Sequence, residues 1–124
     1  MVLVDFYKNN RLNALLRENS IMSNTKKIII KINSNLKELV PKFIQNREKD
    51  AQSISKNIEE YNFERIQNTA NSMKDTSAGY GFSEITKLGI EIEDSAKNQD
   101  IDRIKKLVTA LSHYLDNIEV KFTE

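Results

Sequence analysis

The 124-residue chain has no cysteine, no tryptophan, one histidine, one proline and three glycines. Without cysteine there is no disulfide, no thiolate ligand for zinc or an iron–sulfur cluster, and no cysteine nucleophile. With His113 as the only histidine, a two-histidine metal site or a histidine–histidine relay within one chain is excluded. Scarce proline and glycine argue for long helices rather than many turns. Neither sign of charge dominates, since 19 Lys+Arg stand against 18 Asp+Glu. That balance speaks against a broadly basic nucleic-acid binder and against an acidic disordered tail. Long apolar runs are also missing. Met1-Val2-Leu3-Val4 and Ile28-Ile29-Ile30 are the longest, far below the roughly 20 residues of a spanning helix. No basic segment leads into an apolar stretch of signal-peptide length. The expectation is a cytoplasmic protein with neither a membrane nor a nucleic acid as partner.

What is present is a charged, amphipathic chain: 39% hydrophobic and 30% charged residues, enough for one domain. Its composition shifts near residue 33. Lys8, Arg11, Arg17, Lys26, Lys27 and Lys31 against Asp5 and Glu18 give residues 1–33 a charge of +4, leaving −3 for the rest. This leader holds one short helical pattern around Leu12, Leu15 and Leu16, then the β-branched, extended Ile28-Ile29-Ile30-Lys31-Ile32. Residues 1–33 read as a basic N-terminal extension or linker, and residues 34–124 as the folded domain.

From Ser34 the apolar spacing is helical. Leu36, Leu39, Val40, Phe43 and Ile44 open the pattern, which continues through Arg47, Ala51, Ile54, Ile58 and Tyr61. Pro41 predicts a short helix ending there and a new one starting on it. Asn62 is placed to cap a helix whose apolar face is Phe63, Ile66, Ala70, Met73, Ser77 and Tyr80. Gly79-Tyr80-Gly81 breaks the chain. Ser83 is the next cap candidate, ahead of Ile85, Leu88, Gly89, Ile92 and Ala96. Asp100 caps a final helix carrying Ile101, Ile104, Leu107, Val108, Leu111, Leu115, Ile118 and Phe122. Four such segments bury their stripes only against one another. The fold class is therefore all-α, an antiparallel four-helix bundle with a short extra N-terminal helix and an N-terminal extension.

Acid–base chemistry has few candidates. Glu91, Glu93 and Asp94, or Glu59 and Glu60, are sequence neighbours that diverge on a helix, so they read as solvated faces. Ser112, His113 and Asp116 lie within about one helical turn, which cannot deliver a nucleophile–base–orienter geometry. His113 falls on the exposed side of its helix. No metal and no cofactor is expected.

The informative segment is Asn71-Ser72-Met73-Lys74-Asp75-Thr76-Ser77-Ala78-Gly79-Tyr80-Gly81-Phe82. Met73, Ser77 and Tyr80 face inward. Asn71, Lys74 and Asp75 share another face, beside Gln67, Ser72 and Ala78. This segment resembles the signature of histidine-phosphotransfer (HPt) domains, His-x-x-Lys-Gly-Ser-x-x-x-Tyr/Phe-Gly. The surroundings agree: Leu39 to Arg47 with Asp50 resembles the opening helix of one HPt subgroup. Asn62-Phe63-Glu64 resembles its Asp-Phe-Glu turn, and Leu88 to Glu93 its third helix. The resemblance covers roughly residues 28–122. It implies a phosphorelay protein of two-component signalling whose partner is a response-regulator receiver domain or a histidine kinase.

Two departures fall at the functional centre. Asn71 stands where the family has its phosphorylated histidine, and Asp75 where it has glycine. A carboxamide nitrogen is delocalised into its carbonyl and cannot carry a labile phosphoryl group. Asp75 adds bulk and negative charge where the family is thought to admit a receiver's acidic, magnesium-bearing pocket. The resemblance therefore implies a chain without phosphotransfer, not an enzyme, acting through a docking face of Gln67, Asn71, Ser72, Lys74, Asp75 and Ala78. The alternatives are an inactivated variant of a genuine phosphotransfer protein, or a structural bundle that self-associates through its N-terminal arm.

Overall fold

A computed structural model describes residues 27–124. The order is strand β1 (Ile28–Asn33), a 3-10 turn (Ser34–Leu36), helices α1 (Val40–Glu59), α2 (Phe63–Tyr80), α3 (Ser83–Lys97) and α4 (Ile101–Asn117), then strand β2 (Ile118–Thr123). The fold is mostly helical, with four helices joined in a ring of contacts. α1 packs on α2 and α4, and α3 packs on α2 and α4. No described helix is long and apolar enough to cross a membrane.

The stripes read from spacing are the ones buried. Ile54 of α1, Ile66 and Met73 of α2, Ile85 and Ile92 of α3, and Ile104 and Leu111 of α4 are fully enclosed. The stripe also took in Leu39 and Tyr61, and the structure corrects both: they are 51% and 68% exposed, because one precedes α1 and the other lies in the turn after it.

Helix ends follow local chemistry. α1 begins at Val40 with Pro41 in its first turn, where its missing N–H costs nothing. In place of a helix over Leu36–Val40 stands the 3-10 turn, held by Asn33 Oδ1 accepting from the Asn35 amide at 2.8 Å. Asn62 and Asp100 cap α2 and α4, accepting from the amides of Arg65 and Arg103 at 3.1 Å each. Ser83 is not the cap of α3. Phe82 occupies that position without a side-chain bond, and Ser83 is the first helical residue.

The final helix is shorter than its spacing suggests. It ends at Asn117, and Ile118 turns to extended backbone. Ile118-Glu119-Val120-Lys121-Phe122 also alternates apolar and charged residues, the period of a strand. β1, with its own alternate isoleucines, pairs with it in parallel: Ile28 lies opposite Ile118, Ile30 opposite Val120 and Ile32 opposite Phe122. Ile32 is 2% exposed and belongs to the core, so residues 28–33 pack against the helices. The rest of the leader, including the pattern at Leu12–Leu16 and the arm invoked for self-association, lies outside the described residues.

Candidate docking face

The face predicted on α2 runs as a stripe beside the buried one. Asn71, Ser72, Asp75 and Ala78 are exposed, and Gln67 and Lys74 are half-buried at the edge towards α3. About 100° around the helix, Ile66, Ala70, Met73 and Ser77 are buried. The division follows from helical spacing: residues 67, 71, 74 and 78 recur every three or four positions, offset from the apolar set. Thr76 donates back to the Ser72 carbonyl at 2.9 Å, which keeps its hydroxyl out of the face.

Lys74 is placed by its neighbour on α3. A side chain at Gly89 would meet the Ala70 carbonyl oxygen at 3.0 Å and Lys74 Cβ at 3.1 Å. Only a residue lacking Cβ lets the two backbones come this close. One turn beyond Gly89, Glu93 Oε1 accepts from Lys74 Nζ at 3.2 Å. Both side chains are mostly covered, 27% and 20% exposed, so this pair is better shielded than a surface ion pair. Glu93 is the residue that sequence reasoning left out of the site. Its signal was the spacing Gly89-x-x-x-Glu93, which sets a small residue and an acid on one α3 face.

Asn71 and Asp75 lie one turn apart and both are exposed. Among the described residues, no side chain bonds to Asn71 or pairs with Asp75, and the ammonium of Lys74 is turned to Glu93. Chemically the face offers a neutral carboxamide, a free carboxylate and a lysine already paired.

The Tyr80-Gly81-Phe82 part of the segment has a structural task. Gly81 adopts the left-handed backbone (φ 86°) that closes α2, and the Phe82 amide donates to the Ser77 carbonyl at 3.1 Å. Tyr80 and Phe82 both stack on Phe43 of α1, with ring centroids 4.5 and 4.7 Å apart. Arg47, one turn along α1, lies 4.8 Å over the Phe43 ring and donates to Asp50 Oδ2 at 2.7 Å. Burial of Asp50 pushes its carboxyl up, and the Arg47 cation acts against that shift. The aromatic clamp thus fixes the end of α2 that carries Ala78.

The other candidates do not converge. Glu93 pairs with Lys74, whereas Asp94 pairs with Arg103 at 3.1 Å. Ser112 is buried while His113 is exposed, its ring nitrogen 3.3 Å from Asn117 Nδ2. Among the described residues, no group of three or more His, Asp or Glu could hold a metal ion. Comparisons with protein-family models, with curated proteins and with solved structures return no match for this chain.

Proposed function

We propose that this chain is a degenerate HPt-like module that carries no phosphate and binds a receiver domain or a histidine kinase of a two-component system. The two- and three-residue connections between helices fit the antiparallel bundle of that family. The observation that carries the reading is the exposed Asn71–Asp75 face, one turn long, set beside a lysine whose position Gly89 and Glu93 define. A relay protein needs a nucleophilic imidazole at this place, and Asn71 offers hydrogen bonds only. Binding therefore outlasts the reaction. Asp75 selects among receivers: its carboxylate weakens docking where the facing pocket is strongly acidic and favours a receiver that presents a cation there. Such a module competes with a genuine phosphotransfer protein, or holds a receiver without draining its phosphate.

The test mixes the full chain with phosphorylated receiver domains and a labelled donor. Expected are receiver binding without label on this chain, and binding at least tenfold weaker for Ala78→Arg. Stable label on the wild-type chain, or no receiver binding, overturns the proposal. For the double variant Asn71→His with Asp75→Gly, phosphotransfer is expected. Asn71→His alone transfers poorly, because Asp75 still opposes the acidic partner.

A further inference from the structure

The sheet is the least self-sufficient part of the molecule. Among the described residues it has two strands only, paired in parallel. Each strand therefore keeps one outer edge, and parallel pairs are rarely left so open. The two edges differ in chemistry. β1 contains one cation, Lys31, and no acid, so an antiparallel copy of itself finds no charge partner. β2 is self-complementary about Val120.

We propose that β2 is a homodimer edge, on which a second copy of this chain adds its own β2 in antiparallel register across a two-fold axis at Val120. In that register Val120 faces Val120 of the second copy, Glu119 faces Lys121, and Ile118 faces Phe122, each pairing occurring in both directions. Glu119 and Lys121 already share the solvent face, 48% and 57% exposed and 3.5 Å apart. The dimer extends this pair into a row of alternating charges. On the other face Ile118 and Val120, both half-buried, and Phe122, 37% exposed, gain an apolar neighbour across the axis. The two-fold axis stands perpendicular to the sheet, so both helical layers lie on the same side. The N-terminal Val2-Leu3-Val4-Asp5-Phe6 is a poorer occupant of this edge, since its one charge matches only one of the two. Five paired residues bury a small interface, so the dimer is weak and concentration-dependent.

The experiment is sedimentation equilibrium on the full chain over a concentration series, with charge reversals at exposed positions that leave the circular-dichroism spectrum unchanged. Wild type is expected to dimerise reversibly. Glu119→Lys and Lys121→Glu each turn two attractive cross-strand pairs repulsive, which weakens self-association by about tenfold or more. Mixed one to one, the two single variants pair with each other. A chain carrying both reversals dimerises as wild type does. A chain that stays monomeric at every concentration overturns the proposal, giving the edge to the chain's own segment or to another protein. So do single variants that dimerise unimpaired, or a mixture that fails to pair.

Discussion

Gly89 and Tyr114 illustrate how single residues set this molecule. A methyl group at position 89 meets backbone atoms of α2, the Ala70 oxygen and Lys74 Cα, rather than the yielding end of a side chain. α2 and α3 must then separate at the level of Lys74. Overpacking of this kind costs about 1–3 kcal/mol, offset by about 1 kcal/mol of better helix propensity in alanine. Gly89→Ala is therefore expected to lower stability by up to about 2 kcal/mol, read from the urea midpoint. Tyr114 is 5% exposed, and burial, followed by the charge of Glu84, pushes its phenol up to about 12. The unfolded chain loses that proton near its ordinary value of 10.0. Between these values the folded state holds the proton more tightly, so stability declines as pH rises from about 10 and levels off past about 12. Tyr114→Phe is expected to flatten that part of the decline and to cost little at neutral pH, since the Tyr114 hydroxyl has no partner among the described residues. Denaturant titrations of both proteins from pH 8 upward measure the difference.

At the scale of elements, the three connections within the helical layer share one geometry. Tyr61, Gly81 and Gln99 all have positive φ, and the next residue's amide reaches back to a carbonyl five positions earlier: Asn62 to Asn57, Phe82 to Ser77, Asp100 to Ser95. Only the middle one carries glycine, so only that turn is announced by composition. The others rest on the caps that follow them, Asn62 and Asp100. The strands are a different case. β1 was legible from its β-branched run, whereas β2 has residues at helical and strand spacings alike, and its partner lies some 90 positions away in sequence. The pairing makes residues 28–33 matter for stability. A chain beginning at Lys27 keeps β1, and one beginning at Ser34 loses it together with the burial of Ile32. The longer chain is expected to be more stable by about 2–4 kcal/mol, from the loss of one buried isoleucine and a strand ladder. Thermal and urea unfolding of the two truncated chains check it.

Over the whole molecule, the buried stripes and the polar face of α2 follow from a 3.6-residue period, which any sequence displays without knowing its neighbours. The chemical limits were equally local: no cysteine, and one histidine on an exposed face of α4. Gly89 too could be marked as a point of close approach. What it approaches could not, because a contact between α2 and α3 depends on how the helices are set against each other. The fold alone decided that Lys74 is paired with Glu93 rather than with Asp75, leaving the carboxylate of Asp75 to face solvent. It alone joined β1 to the end of α4 and so, among the described residues, left β2 with an open edge. Sequence by itself determined which residues are apolar and which side chains are able to cap a helix, since these are properties of the side chain and its immediate neighbours. Tertiary structure decided the pairings, because partners 19 or 90 residues apart are brought together only by burial of the common core.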